Sequence, residues 1–153
     1  MYIRSFKKKD NPAIKELISS VMAKEYPSEQ RAYQYGDLDS IAEAYGKLRE
    51  KFLVAVEGSA IVGTAGVKED SKRKALLRRL FVHPSHRERG VGSMLVDTTL
   101  DFCKMNGYSY VNFRATSRMK PAIELLCKKK GFREKDRYLF DDIQIINLIY
   151  KIR

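Results

Sequence analysis

The stretch from residue 76 to residue 93 reads Leu-Leu-Arg-Arg-Leu-Phe-Val-His-Pro-Ser-His-Arg-Glu-Arg-Gly-Val-Gly-Ser. An apolar strand leads into a basic turn with two glycines, and a helix is predicted to begin at the far side of the turn. The first backbone N–H groups of a helix point outward with the positive end of its dipole behind them. Gly90 and Gly92 let the backbone approach a phosphate, and Arg87 and Arg89 can add charge-assisted hydrogen bonds. The stretch therefore predicts a phosphate-binding site.

Two familiar phosphate-binding loops fit this stretch less well. A Walker A loop requires Gly-x-x-x-x-Gly-Lys-Ser/Thr, and the chain contains neither Gly-Lys-Ser nor Gly-Lys-Thr. A dinucleotide fingerprint requires glycines spaced Gly-x-Gly-x-x-Gly, but Leu95 stands where the third glycine would fall. The simplest alternative to a phosphate-binding site is a solvated basic turn before a helix. The neighbouring segments therefore have to distinguish these two interpretations.

Length and composition narrow the class of protein. The chain has 153 residues, which suits one domain with a substantial core. It has no run of about 18 apolar residues, and residues 1–9 do not form an apolar signal segment. The two cysteines, Cys103 and Cys127, are too few for a disulfide framework or a zinc site. We therefore expect a cytoplasmic protein in a reducing compartment, with no membrane span and no metal.

The net charge of +11 is unevenly distributed. Residues 1–70 hold equal numbers of acidic and basic side chains, so the whole excess lies in residues 71–153, the half that contains the glycine turn. A basic half can steer a phosphorylated cofactor to its site, and nucleic acid is the other candidate partner. The position of the charge favours the cofactor.

Hydrophobic periodicity and turn residues predict a mixed α/β order without a linker or an internal repeat. Strands are predicted at residues 2–6, 52–56, 60–67, 75–82, 108–113, 132–140 and 143–152. Helices are predicted to begin near residues 10, 40, 91 and 121, and residues 26–37 are predicted as a tyrosine-rich loop. One domain over residues 1–153 accounts for this order.

Two of the predicted helices carry detailed expectations. The pattern Ser40-x-x-Glu43 predicts a capping box, with Ile41, Tyr45 and Leu48 facing inward. In the helix after the glycine turn, the predicted buried stripe is Val91, Leu95, Thr98, Phe102 and Met105.

The order of elements resembles the GNAT superfamily of acyl-CoA-dependent N-acetyltransferases over nearly the whole chain. The pattern Arg87-x-x-Gly90-x-Gly92 resembles the family's pyrophosphate loop. The other points of resemblance are Ile3-Arg4 with Asp10, Ile61-Val62-Gly63, and Lys128-Lys129-Lys130-Gly131-Phe132. The resemblance implies a single α/β domain whose mixed central sheet of six to seven strands is splayed between strands 4 and 5 and flanked by about four helices.

The resemblance also implies an acetyl-CoA site. In such proteins the pantetheine arm lies between the two splayed strands, here residues 75–82 and 108–113. Backbone groups near Leu80, Phe81 and Val82 would bind that arm as an added strand does. The pyrophosphate would contact the glycine turn, which consists of Arg87, Glu88, Arg89, Gly90, Val91, Gly92 and Ser93.

The chain departs from the family pattern where a proton donor is expected. Many members have a tyrosine four residues before the helix-ending glycine, as the acid for the CoA thiolate, and here that residue is Cys127. A thiol can donate a proton, but it is a weak donor, and a small buried hydrophobic residue is the other interpretation of Cys127. Tyr138, in the following strand, is the substitute candidate.

A second departure concerns the general base. Relatives often carry a glutamate on the strand before the loop, where this chain has Leu76. Glu69, Asp70 and His83 are then the possible routes to a water chain that takes the proton of the amine. Direct attack of an amine on a thioester depends mainly on positioning, so both departures are compatible with catalysis.

Two functions are open from the sequence. The first is transfer of an acetyl group from acetyl-CoA to a primary amine of a small molecule or peptide in a ternary complex. The second is a GNAT-like module that binds CoA or nucleic acid with little catalysis. The amine acceptor is not readable from the sequence. The apolar last strand, residues 143–150, predicts an edge that pairs across a homodimer.

Overall fold

Seven strands form one mixed sheet in the computed structural model, which describes all of residues 1–153. The strands are β1 (Tyr2–Ser5), β2 (Lys51–Glu57), β3 (Ala60–Glu69), β4 (Lys74–Val82), β5 (Tyr110–Thr116), β6 (Arg133–Phe140) and β7 (Ile143–Lys151). Their order across the sheet is β1-β2-β3-β4-β5-β7-β6, and β4 and β5 are the parallel pair. The predicted α/β architecture with a mixed central sheet is confirmed.

Five α-helices flank the sheet. They are α1 (Asn11–Glu25), α2 (Gly36–Asp39), α3 (Ile41–Ala44), α4 (Val91–Met105) and α5 (Lys120–Glu124). A π-helical turn, Leu125–Lys129, continues α5, and Gly131 follows it with a positive φ of 83°. Short 3₁₀ turns occupy Lys8–Asp10, Pro27–Ala32 and Pro84–His86. No helix is long and apolar enough to cross a membrane.

Helix α1 begins where the sequence predicts, but its first turn is held differently. Asp10 occupies the N-cap position and Pro12 lies in the first turn. The Asp10 carboxylate accepts hydrogen bonds from the Lys7 backbone N–H (2.7 Å) and from both terminal nitrogens of Arg4 (2.7 and 3.1 Å), and it caps no helical N–H group. The pair therefore ties β1 to the start of α1.

The predicted second helix is wrong in extent. Helix α3 is a single turn, Ser40 makes no capping hydrogen bond, and Leu48 is 98% exposed. Ile41 and Tyr45 are buried as predicted. The helix ends early because Gly46 follows, and glycine is a poor helix former. Residues 26–37, predicted as a loop, instead contain the 3₁₀ turn and the start of α2.

The buried face of α4 is also rotated from the predicted stripe. Val91 and Leu95 are buried, but the row continues through Thr99 and Cys103 at intervals of four residues. Met105 is 86% exposed. The predicted stripe was chosen for the apolar residues in the second half of α4. The helix instead packs on the sheet through residues spaced four apart.

Strands β4 and β5 separate part-way along their length. Their pairing runs only from Lys74↔Tyr110 to Leu77↔Phe113. Beyond this point β4 continues to pair with β3, and β5 continues to pair with β7. The predicted splay is confirmed, and it leaves one edge of β4 without a strand partner.

The predicted pairing of the last strand across a dimer is wrong. Strand β7 lies between β5 and β6 and pairs with both, so neither of its edges is free. The free edge on that side belongs to β6, whose Tyr138, Leu139 and Phe140 side chains are exposed. A homodimer stays a prediction, without the strand that was expected to form it.

Candidate active site

A cleft of about 870 Å³ opens where β4 and β5 separate. Its walls come from β4, β5, the glycine turn with the start of α4, helix α5 and the segment that follows α1. The fold therefore brings the predicted pantetheine strand and the predicted phosphate turn to one cavity.

Most of the predicted binding residues line this cleft. The lining includes Leu80, Phe81, Val82, Arg87, Glu88, Gly90, Val91, Gly92 and Ser93. Arg89 is absent from the lining. Of the two predicted proton donors, Tyr138 lines the cleft and Cys127 does not.

The glycine turn leaves the backbone at the start of α4 unobstructed. Gly90 is the N-cap residue of α4 with a left-handed φ of 82°, a conformation that favours glycine, and a Cβ there would meet no atom within 4 Å. At Gly92 a Cβ would lie 3.2 Å from a methyl group of Leu125, so α4 and the π-helical turn approach closely there. The open space in front of Gly90 leaves room for a ligand oxygen.

Arg87 braces the turn from within. Its Nη1 donates to a carboxylate oxygen of Glu25 at the end of α1 (2.7 Å), and its Nε donates to the backbone carbonyl of Val82 (3.2 Å). The side chain thus ties α1, the end of β4 and the glycine turn together. In this arrangement Arg87 positions the turn, and its guanidinium is already shared with Glu25.

A β-bulge distorts β4 beside the splay. The register with β3 shifts between Thr64↔Phe81 and Gly66↔Arg78, and Arg79 at the bulge has a positive φ of 54°. The Thr64 hydroxyl donates to the Arg79 carbonyl at 2.7 Å. The bulge is therefore held from the neighbouring strand.

The Arg79 side chain also stabilises the bulge, through contacts with the segment that precedes β2. It is buried and donates to both carboxylate oxygens of Asp37, from Nε at 3.0 Å and from Nη2 at 2.6 Å. Nη2 also donates to the backbone carbonyl of Gln34 at 2.5 Å, and the Tyr45 hydroxyl donates to Asp37 at 2.7 Å. Burial alone would raise the pKa of Asp37, but hydrogen bonds and the charge of Arg79 outweigh it and lower the pKa.

Tyr33 and Tyr138 form another part of the cleft wall. The Tyr33 hydroxyl donates to the Arg114 backbone carbonyl at 3.2 Å. Burial raises the pKa of Tyr33, and the nearby Tyr138 raises it further. Tyr33 therefore contributes a neutral, hydrogen-bonding side chain to the cleft wall at physiological pH. Tyr138 is 46% exposed and reaches the cleft from β6.

Cys127 lies in the π-helical turn, where the cleft-lining residues of this segment are Leu125 and Lys129. It is half-buried against the core, and burial raises the pKa of its thiol. Its role as a proton donor stays a prediction.

Of the residues expected to pass on the amine proton, the fold places some at the cleft and one outside its lining. Leu76 lines the cleft, and so do Glu69 and Asp70 at the end of β3. His83 does not line it, and its Nδ1 accepts a hydrogen bond from the Ser85 backbone N–H at 3.1 Å. No group of three or more His, Cys, Asp or Glu side chains comes together to hold a metal ion.

Asp37, Tyr33 and the β4 bulge, which shape one part of the cleft, were not predicted from the sequence. Consecutive arginines at 78 and 79, inside an apolar strand, interrupt its alternation and could have indicated a bulge. Nothing local indicates that Asp37 contacts Arg79 or that Tyr33 contacts Arg114, because each pair is separated by more than 40 residues along the chain.

Comparison with known proteins agrees with this geometry. A family model described as an acetyltransferase (GNAT) domain matches residues 49–134, which include β4, the glycine turn and β5. The chain belongs to this family. The match spans the strands that separate, so the cleft lies within the GNAT domain.

Relatives of this GNAT chain include two rat proteins. N-acetyltransferase 8 of Rattus norvegicus is 34% identical over 128 residues, which cover 76% of this chain and 57% of that protein. N-acetyltransferase 8B of the same organism is 37% identical over 108 residues, which cover 67% of this chain and 48% of that protein. The chain spans about half the length of the curated relatives it matches.

Solved GNAT structures share the whole fold. An acetyltransferase of the GNAT family from Staphylococcus aureus superposes with a TM-score of 0.85 at 20% identity, covering 99% of each chain. A Salmonella typhimurium protein, solved with its cofactor acetyl-CoA, superposes with a TM-score of 0.82 at 20% identity, covering 99% of this chain and 94% of that one. At this identity the likeness concerns the fold.

Proposed function

We propose that this chain transfers the acetyl group of acetyl-CoA to a primary amine of a small molecule or peptide. The observation that carries the proposal is that the cleft opened by the separation of β4 and β5 is also lined by the glycine turn. It combines an unpaired strand edge, suited to the amide groups of pantetheine, with a helix start suited to phosphate. The names of the rat relatives and the acetyl-CoA of the Salmonella protein support the same reaction.

The binding residues divide between the two parts of the donor. The pantetheine arm lies along Leu80, Phe81 and Val82, whose strand edge has no partner on the β5 side. The pyrophosphate lies against the turn from Arg87 to Ser93, with Gly90 at the open approach. The basic excess of residues 71–153 assists the encounter with a polyanionic donor.

The reaction is a direct displacement. The amine nitrogen attacks the thioester carbonyl, so that a C–N bond forms, the C–S bond breaks, and the sulfur leaves with its electron pair. The cleft positions both reactants, and positioning is a large part of the rate enhancement in such two-substrate reactions. One proton leaves the amine, and one reaches the departing thiolate.

The proton transfers are assigned to groups at the cleft wall. Tyr138 is the proposed donor to the thiolate because its side chain reaches the cleft, and Cys127 is the alternative donor. Glu69 and Asp70 are proposed to receive the amine proton through water, since both line the same cavity.

An acceptor screen tests the proposal. The full chain is incubated with acetyl-CoA and polyamines, amino acids, aminoglycosides or peptides with free N-termini, and the released CoA thiol is measured. Release that depends on one of these amines, with the acetylated amine identified by mass spectrometry, is the expected result. Binding of acetyl-CoA without release from any amine contradicts the transfer.

A second function is favoured by one observation, the concentration of net charge in residues 71–153. A module that binds CoA or nucleic acid without efficient catalysis also fits that charge and the departures at Leu76 and Cys127. Salt-sensitive binding of nucleic acid, together with absence of micromolar acetyl-CoA binding, would favour this alternative.

A further inference from the structure

We propose that the amine acceptor carries an oxyanion group, a carboxylate or a phosphate, and that Arg78 and Arg114 bind it. The proposal rests on the acetyl transfer proposed above, and it names the class of acceptor that this cleft takes. Both arginines line the cleft beside the point where the strands separate.

The register places the two arginines next to each other. The last residues paired between β4 and β5 are Leu77 and Phe113, which are both buried. Side chains alternate between the two faces of a strand, so Arg78 and Arg114 lie together on the opposite face. They are the first residues beyond the pairing, and they flank the opening between the strands.

That face is the one on the side of α3. A Cβ at Gly66, which pairs with Arg78, would meet the Tyr45 ring at 2.7 Å, whereas a Cβ at Gly63 would meet Leu95 of α4 at 2.9 Å. The donor's phosphate turn lies at the start of α4, at the far end of β4. Arg78 and Arg114 therefore lie on the face opposite α4, which we assign to the acceptor.

The charges of these two arginines are poorly compensated within the protein. Asp37 is the nearest carboxylate to Arg78, but it lies 4.0 Å away and already binds Arg79 with both oxygens. Arg114 forms no ion pair with any carboxylate, and it is exposed. The Tyr33 hydroxyl donates to the backbone carbonyl of Arg114, so this hydrogen bond does not engage the guanidinium group.

The acidic groups in the cleft do not neutralise them. Glu69 is paired with Arg49 at 3.5 Å, and Asp37 is committed to Arg79. Neither Asp70 nor Glu88 forms an ion pair with Arg78 or Arg114. Arg114, which has no ion pair, and Arg78, whose one ion pair is the 4.0 Å contact with Asp37, thus both line the cavity.

The phosphates of the donor do not account for these arginines either. Arg78 precedes Val82 by four residues, which corresponds to roughly 13 Å of extended strand, and the glycine turn lies farther on. The guanidinium group donates parallel hydrogen bonds that match carboxylate and phosphate geometry. An oxyanion attached to the acceptor would therefore be held while its amine reaches the thioester.

Matched acceptors test the assignment. Acetyl transfer by the full chain is measured for phenylalanine against phenethylamine, which lacks the carboxylate, and for O-phosphoethanolamine against ethanolamine, which lacks the phosphate. We expect the oxyanion-bearing member of at least one pair to have a kcat/KM at least tenfold higher. The pair that shows this preference identifies carboxylate or phosphate as the group recognised.

Variants separate recognition from general damage. Arg78→Gln and Arg114→Gln are each expected to raise the KM for the oxyanion acceptor about tenfold, a larger change than either variant causes in the kcat/KM for the plain amine or in the KM for acetyl-CoA. Arg78→Lys is expected to recover part of the loss. Arg133→Gln, an exposed arginine of β6 outside the cleft lining, is the matched control.

The outcomes distinguish this inference from the proposed function. If plain amines are acetylated as well as their oxyanion partners, or if the Gln variants lower both rates equally, the assignment of Arg78 and Arg114 is overturned while the acetyl transfer stands. If no amine in the wider screen is acetylated, the proposed function fails, and this inference fails with it.

Discussion

Arg79 and Asp37 form a buried ion pair with two hydrogen bonds, Nε to Oδ2 at 3.0 Å and Nη2 to Oδ1 at 2.6 Å. The pair joins the bulge of β4 to helix α2, 42 residues earlier in the chain. Because the bulge lies where β4 leaves β5, this pair fixes the wall of the cleft on the acceptor side. A left-handed φ at Arg79 is maintained by these contacts.

Removing one partner of this pair is expected to be costly. Asp37→Asn leaves the Arg79 charge buried without its counterion, and such a change typically costs about 3–5 kcal/mol. Unfolding in urea, followed by circular dichroism, measures the free energy. Arg31→Gln is the matched control, since Arg31 pairs with Asp142 at the surface, where an ion pair contributes about 1 kcal/mol or less. Equal losses in both variants would contradict the structural role of the buried pair.

The same pair predicts how stability depends on pH. The pKa of Asp37 is lowered in the folded state, so its contribution is complete above the unfolded value of about 3.9 and is lost as the pH falls through the lower folded pKa. Arg4 lowers the pKa of Asp10 in the same direction. We therefore expect the free energy of unfolding to fall below a pH of about 4. This acid dependence should be weaker in Asp37→Asn, and an identical slope in the variant would remove Asp37 from the explanation.

Gly90 is expected to be required for acetyl-CoA binding, whereas another glycine with a left-handed φ is not. Gly58, in the β2–β3 turn, has a φ of 62° and, like Gly90, an unobstructed Cβ position. Leucine at either position imposes left-handed strain of about 1–2 kcal/mol. Only at position 90 does the side chain enter the cleft, so Gly90→Leu should weaken acetyl-CoA binding at least about tenfold more than Gly58→Leu, a difference of about 1.4 kcal/mol. Calorimetry measures both, and equal affinities would mean that the phosphate lies elsewhere.

The two candidate proton donors make opposite predictions. Tyr138→Phe should lower kcat by about a hundredfold, in the range of general acid catalysis, with little change in the KM for acetyl-CoA. Cys127→Ala should retain most of the wild-type kcat, because Cys127 does not line the cleft. The pH profile of kcat shows whether a titrating donor has been lost. Full activity in Tyr138→Phe, with a large loss in Cys127→Ala, would reverse the assignment.

Much of the fold, and the cleft that most of the predicted donor-binding residues line, was predictable because the signals are local. The apolar run before Val82, the glycines at 90 and 92, and the helix beyond them lie in consecutive residues. Each constrains the backbone directly, through strand formation, a positive φ and a helix start. The sheet and its splay followed from the order of these elements and the family resemblance.

The acceptor side was not predictable because its contacts are distant in sequence. Asp37 meets Arg79 across 42 residues, and Tyr33 meets Arg114 across 81. The rotated face of α4 has a related origin, since Thr99 is buried by packing in preference to the more apolar Phe102. Likewise, β7 is an interior strand because β6 pairs with its other edge. The apolar composition of β7 alone does not distinguish an interior strand from an edge strand that pairs across a dimer.

The most direct test of the central claim is a calorimetric titration of the full chain with acetyl-CoA. The single cleft that joins the separated strands β4 and β5 to the glycine turn predicts one donor per chain, bound with micromolar or tighter affinity and lost in Gly90→Leu. Absence of binding at millimolar acetyl-CoA, by a chain that is folded and binds nucleic acid in a salt-sensitive manner, would contradict the claim.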